Sequence, residues 1–288
     1  MNLLNLKLAA VTVAVMASAS TQAATITAWN FENDTVAVNN SPAPSTGAGT
    51  ASSWGMNVYA TPNVGVTTDD VLAGVSGDTG ANGLSDTGNI WRVRGQAGSN
   101  GAANGWSSLA PIGAQGAEFA ASTVGYSNIN VSFDWYATTQ GEANLQLEYT
   151  NNGTTWINAP ITIGANSSLG LAALTNSTSA NTVDGSYISD NAATNGSKAG
   201  QDWFQGLTAS INDPLAANNP NFAIALVNAS TGADDVSTKG TALNNTSGNW
   251  RFDNIVISGT AVPVPGAAWL FGSVLAGAGL IGQRRKQA

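Results

Sequence analysis

Between residues 129 and 136 the chain alternates strictly: Ile129, Val131, Phe133 and Trp135 are interleaved with Asn130, Ser132, Asp134 and Tyr136. Successive side chains of an extended strand point to opposite faces, so this segment reads as a strand with one buried face. Leu145, Leu147 and Tyr149 against Asn144, Gln146 and Glu148 repeat the pattern after a turn signal at Gln140-Gly141, and the two segments are expected to form a hairpin. Asn151-Asn152-Gly153-Thr154-Thr155-Trp156 reads as a tight turn into a further strand, because Asn and Gly tolerate positive φ. Residues 222–227 are almost continuously apolar, as in a strand covered on both faces, which favours two packed sheets over one open sheet. In the segment 250–257 the large apolar residues fall at Trp250 and Phe252, then at Ile255 and Ile257. The alternation slips by one at Asp253-Asn254, and a β-bulge there would return all four to one face. Residues 36–88, rich in Asn, Ser, Thr, Pro, Gly and Asp, are expected to be long loops. No repeat of fixed period divides the chain.

The two ends differ from this middle. Residues 1–23 combine Lys7, an apolar run from Leu8 to Met16 and small residues up to Thr21-Gln22-Ala23, the layout of a secretory signal peptide cleaved after Ala23. The apolar run is too short for a bilayer of about 30 Å. At the other end, residues 266–282 contain no charge and as a helix would extend about 25 Å, with Arg284-Arg285-Lys286 immediately after. By the positive-inside rule that basic cluster stays cytoplasmic and everything before Pro263 lies outside. About 238 residues remain between the two ends, enough for one domain with a substantial core.

Composition sharpens the expectation. Few charged residues, many glycines and a shortage of good helix formers point to an all-β fold. All 17 acids but only five of the 9 bases fall in 24–262, so that segment carries −12 and will repel nucleic acid. The chain has no Cys, hence no disulfide framework, and no His, the commonest general base and transition-metal ligand. Both absences weigh against an enzyme.

The order Val262-Pro263-Val264-Pro265, then an apolar segment beginning Ala267-Ala268-Trp269-Leu270-Phe271-Gly272, then the basic terminus, resembles the PEP-CTERM sorting signals that exosortases process in Gram-negative bacteria. Val264 stands where the namesake motif has Glu, which is similar to a Val-Pro-x-Pro subclass. The resemblance implies signal peptidase and an exosortase-like enzyme as partners, transient inner-membrane anchoring by the tail, and delivery to the cell surface or an extracellular polysaccharide matrix. A permanent tail anchor is the alternative. The closing segment Trp250-Arg251-Phe252-Asp253-Asn254-Ile255 resembles the last strand of jelly-roll domains of laminin-G, concanavalin-like and carbohydrate-binding type. Tyr149-Thr150-Asn151-Asn152-Gly153-Thr154-Thr155-Trp156 resembles a sialidase-type Asp box, a structural hairpin, with Thr150 and Asn152 in place of its Ser and Asp.

The jelly-roll resemblance implies neighbouring first and last strands and a structural Ca²⁺ ion between them, held here by Glu32, Asp34 and Asp253; the alternative is that Glu32 is solvated and Asp253 caps the bulge. Most Trp residues have core spacing, but Trp54 and Trp106 stand in Gly/Ser-rich surroundings and are the candidates for an exposed sugar-stacking face. The functional expectation is a non-catalytic surface or matrix protein, with a lectin-like module as alternative. A hydrolase using Asp134, Glu142 or Glu148 is the third reading. Intact-mass measurement of the protein from its native host should find the mature chain beginning at Ala24 and ending near residues 263–265. A mature form retaining Trp269 to Ala288 would establish a plain tail anchor instead.

Overall fold

The structure is a computed structural model that describes residues 23–34, 37–38, 41–55, 65–68, 89–94, 106–138, 140–162, 182–184, 203–232, 236–237, 243–245 and 248–262. Residues 23–261 form one compact unit. It is all-β, built from two antiparallel sheets that face one another, as in a β-sandwich. A 3₁₀ turn spans Pro214–Ala216, and among the described residues no helix is long and apolar enough to cross a membrane. The candidate span 266–282, with Pro263, Val264, Pro265, Arg284, Arg285 and Lys286, lies outside the described residues.

Strands are numbered along the chain: β1 (Ala23–Trp29), β2 (Ala37–Val38), β3 (Thr50–Trp54), β4 (Gly65–Thr68), β5 (Asn89–Arg94), β6 (Trp106–Ser107), β7 (Gly116–Ala120) and β8 (Tyr126–Ala137). They continue with β9 (Asn144–Thr150), β10 (Trp156–Ala159), β11 (Thr182–Asp184), β12 (Trp203–Ile211), β13 (Ala223–Asn228), β14 (Asn244–Asn245) and β15 (Asn249–Ala261). The larger sheet runs β12-β8-β15-β5-β4-β2, and the smaller β10-β9-β13-β7-β3 with β11 also on β9. The pair β6 and β14 stands apart.

β15 organises the larger sheet. One edge pairs with β8 along its length, while the other is shared end to end, by β5 from Asn249 to Phe252 and by β1 from Ile255 to Thr260. The handover falls at the expected bulge: the register shifts after Asp253, and Asn254 has φ 50°. An extra residue there keeps Trp250, Phe252, Ile255 and Ile257 all buried. First and last strands therefore do pair, and β13, with all six residues buried between β7 and β9, is covered on both faces as its composition implied.

Two expectations are corrected. β8 and β9 do not form a hairpin: β8 belongs to the larger sheet and β9 to the smaller, and residues 138–143 cross between them. Periodicity marks which face is apolar but not which strand lies alongside, and here the two apolar faces meet across the sandwich. The crossing needs close backbone approach, for a Cβ on Gly248 would collide with the Gln140 carbonyl. It is fastened by Trp250, whose Nε1 donates to the Glu142 carbonyl at 2.7 Å. Residues 36–88, expected as loops, contain β2, β3 and β4; β3 reads Thr-Ala-Ser-Ser-Trp, of weak strand character, yet it pairs residue for residue with β7 and buries Ala51. Tertiary pairing overrides local preference there.

The core is aromatic. Phe119 of the smaller sheet meets Trp29, Trp91 and Phe252 of the larger at centroid distances of 5.2, 5.7 and 6.1 Å, all edge-on. Trp250 lies 4.7 Å from Trp106 and 5.5 Å from Trp135. Trp250→Ala should therefore cost about 3–5 kcal/mol through the cavity it leaves, and Trp250→Phe about 1–2 kcal/mol by orphaning the Glu142 carbonyl. Urea midpoints of the two variants check both; no loss in Trp250→Phe would mean the hydrogen bond contributes nothing, and equal losses would mean the same of the ring packing that Phe retains.

Candidate functional site

The outward face of the smaller sheet is built from rows of paired residues. One row is Ser52, Glu118, Ala225, Glu148 and Asn158, taken from β3, β7, β13, β9 and β10 in turn. On one side of it run Thr50, Ala120, Ala223, Thr150 and Trp156; on the other Trp54, Gly116, Val227 and Gln146. The middle of the face is formed by Ala223, Ala225 and Val227, which are themselves buried, while Trp54 and Trp156 stand on its two edge strands. In a flat sheet, strands four spacings apart would hold them about 19 Å from one another. Their rings instead meet at 5.0 Å, at 67°, so the sheet curls and this face is concave.

Both rings are partly exposed. Trp54 is fixed by donating from Nε1 to the Gly113 carbonyl at 2.8 Å. Trp156 is presented by the turn before it, where the Asn152 Oδ1 accepts from the backbone N–H groups of Thr154 and Thr155 at 2.9 and 2.8 Å, and Gly153 has φ 73°. These are the local bonds that make Asn a turn former. Beside the rows a groove of about 420 Å³ is lined by Thr50, Glu118, Ala120, Asn152, Asn221 and Phe222, among others.

Two carboxylates rise from the floor. Glu118 and Glu148 are both partly buried, and desolvation raises the pKa of each above the ordinary 4.5. Glu148 Oε1 accepts from Gln146 Nε2 at 2.7 Å, and Gln146 Oε1 accepts in turn from Asn158 Nδ2 at 3.0 Å. Gly113 packs on the Glu148 carboxylate, where a Cβ would sit 3.1 Å from Oε1, and its φ of 79° also suits glycine. Glu118 has no hydrogen-bond or ion-pair partner among the described residues. The described basic residues, Arg92, Arg94 and Arg251, all belong to β5 and β15 of the other sheet.

The residues expected from sequence are distributed differently. Trp106 is corrected: it is fully buried, donates from Nε1 to the Gly248 carbonyl at 2.9 Å and packs on Trp250, so it cannot stack on a ligand. Glu32, Asp34 and Asp253 are not brought together, and among the described residues no three acidic side chains gather closely enough to hold a metal ion. Glu32 is exposed and accepts from the Asn89 backbone at 3.2 Å. Asp253 is buried opposite Asp134 on β8, and all four oxygens of this pair accept protein hydrogen bonds: Asp134 from Gly206 N and Asn254 Nδ2, Asp253 from Asn254 N and Nδ2. Asp253 thus braces the bulge.

Asp134 and Glu148 do not share a sheet face, because their strands lie in different sheets. Glu142 is buried in the crossover, its Oε1 accepting from Asn144 N at 2.9 Å and Ser230 Oγ at 3.2 Å. Of the expected processing residues, Ala23 opens β1 and Val262 is exposed just after β15. Sequence reasoning missed Glu118 and Trp156 as site residues. The signal for Glu118 was present, a lone charge between Ala117 and Phe119 in an otherwise small or apolar stretch.

A carboxyl whose folded pKa is raised destabilises the fold once pH exceeds its ordinary value. Glu118→Gln should therefore melt roughly 1–2 °C above wild type at neutral pH, the half-exposed position limiting the effect. The difference should vanish as pH falls through the raised value to below 4.5. Paired thermal melts at several pH values check the sign; a variant less stable than wild type at pH 7 would show that Glu118 holds a structural partner.

Comparison of the chain with protein-family models, with curated proteins and with solved structures finds no match, so the reading of this face rests on its own geometry.

Proposed function

We propose that this is a non-catalytic exported surface or matrix protein whose domain, of jelly-roll or laminin-G-like type, holds extracellular polysaccharide on the concave face of its smaller sheet. The observation that carries the reading is the groove lined by Thr50, Glu118, Asn152 and Asn221, with the partly exposed Trp156, in contact with Trp54, on the same sheet face. A sugar ring has an apolar face and a polar rim. Partly exposed indoles offer the first a stacking surface, and amide and hydroxyl groups give the rim donors and acceptors. The sorting-signal resemblance of residues 262–286 supports the location, since such a tail implies delivery to the compartment where the polymer is found.

Glu118 and Glu148 favour a second reading, glycan hydrolysis. Two carboxylates on one face, on strands two spacings or roughly 10 Å apart, are the minimum apparatus of a glycosidase. The non-catalytic reading is preferred because Glu118 lines the groove whereas Glu148 does not, and Gly113 packs on the Glu148 carboxylate.

Titration of Trp fluorescence with cell-surface polysaccharide should give saturable binding, weakened about tenfold, or about 1.4 kcal/mol, in Trp54→Ala and in Trp156→Ala. Trp106→Ala should act only through stability. Unchanged affinity in both edge variants would remove the proposed face, and release of new reducing ends by wild type but not by Glu118→Gln would favour the hydrolase.

A further inference from the structure

We infer that, while residues 266–282 are held in a membrane, the domain rests on the outer headgroup layer through one end of the sandwich, the end bearing Val124, Leu215 and Val262. The inference rests on the membrane-spanning reading of the tail and is independent of the glycan reading.

Two turns and both chain ends of the domain meet there. Thr123 Oγ1 donates to the Ala216 carbonyl at 2.6 Å, and Thr123 N to the Asn219 carbonyl at 2.8 Å. The turn after β7, which carries Val124, is thereby fastened to the 3₁₀ turn that carries Leu215. Asn218 N donates to the Tyr126 carbonyl at 2.8 Å, and Tyr126 pairs with Ala261, the residue before Val262. Ala23, at the start of β1, pairs with Thr260. The apolar segments at the two ends of the sequence therefore both join the domain at this end.

The fold leaves these side chains in the open: Leu215 is 70%, Val124 53% and Val262 47% exposed. Charge is scarce beside them. In the segments 23–25, 121–127, 213–219 and 260–262 the sole charged side chain is Asp213. Its carboxylate is engaged by the protein, Oδ1 accepting from Leu215 N at 2.9 Å, and Oδ2 from Asn151 Nδ2 at 2.7 Å and Tyr149 OH at 3.1 Å. In a segment that carries −12 overall, this is an end that anionic headgroups repel little. Valine and leucine are at home at the boundary between headgroups and acyl chains.

Covalent reach brings this end to the bilayer. Gly266 is four residues beyond Val262, at most about 14 Å of extended chain. The headgroup layer on either side of the hydrocarbon is roughly 5–8 Å deep. A span that begins at Gly266 therefore keeps Val262 within that layer or just beyond it, and the turns of Val124 and Leu215 lie beside Val262. Leu109, 73% exposed, supplies the contrast: its loop precedes β7 and is bonded through Gly113 N to the Asn228 carbonyl at the end of β13, so it stands at the opposite end of the smaller sheet.

The chain has no Cys, so a single introduced thiol reports on one position. The chain with its tail intact is inserted into vesicles of phosphatidylethanolamine and phosphatidylglycerol, labelled with bimane at Val124→Cys, Leu215→Cys or Leu109→Cys, and exposed to lipids carrying a nitroxide near the headgroup. Quenching should be roughly twofold or more stronger at positions 124 and 215 than at 109. Equal quenching at all three overturns the inference. So does quenching at none while the chain resists carbonate extraction, because the domain would then stand off from a membrane that still holds its tail. Release of the chain by carbonate overturns the tail reading and the inference with it. A disulfide-linked dimer through Leu215→Cys, formed without quenching by lipid, assigns this end to a second copy instead and overturns the membrane contact.

Discussion

Phe119 is where the two sheets are joined, and its position on β7 fixes both the core and the candidate site. Three aromatic rings of the larger sheet converge on it edge-on, the arrangement in which ring quadrupoles attract, and the contact is fully desolvated. In a strand the neighbour of an inward side chain must point outward. Packing Phe119 and Ala117 into the core therefore commits Glu118, between them, to the opposite face. A one-residue slip of β7 would bury the carboxylate and expose the phenylalanine, so register here is strongly specified. With no cysteine to cross-link the domain, aromatic contacts of this kind have to hold the sheets together.

The curl of the smaller sheet follows from the same economy of side-chain size. Ala120, Ala223, Ala225 and Gly116 leave little bulk on the outward face, whereas the inward face carries Phe119, Ile224, Leu226, Leu145, Leu147 and Tyr149. A sheet crowded on one face and sparse on the other bends toward the sparse side. That bend lets Trp54 and Trp156 approach from opposite edges, and Gly113 holds the loop close enough for Trp54 to hydrogen-bond to it.

Much of the β architecture is legible in the chain because alternation reports directly on burial. β8, β9 and β13 appear where their patterns put them, the Asn152-Gly153 turn leads into β10, and the slip at Asp253-Asn254 is the bulge at which β15 exchanges one neighbour for another. Partnership is not legible in the same way. Alternation in 129–136 and 144–149 is equally compatible with neighbours in one sheet and with opposed strands across a core, and the structure has the second. β3 is invisible because Ala and Ser carry little strand preference, and its formation depends on β7 offering an edge. Trp106 misleads for the reverse reason: its surroundings in sequence look solvated, while its contacts are Trp250 and the Gly248 carbonyl.

The acidic residues show most clearly what sequence withholds. Asp134, Glu142, Glu148, Asp253 and Glu118 look alike as letters in an acidic chain. In the structure they divide by what answers their oxygens. Asp134 and Asp253 fasten Asn254 and Gly206, and Glu142 fastens Asn144 and Ser230, so their charge serves the bulge and the crossover. Glu118 fastens nothing among the described residues and Glu148 only Gln146, though desolvation makes each less comfortable as an anion than it would be in water. A fold gains nothing from such a carboxylate, and Gln in the same place would pack as well without the charge. Among these five, Glu118 is therefore the carboxylate whose charge no described residue answers.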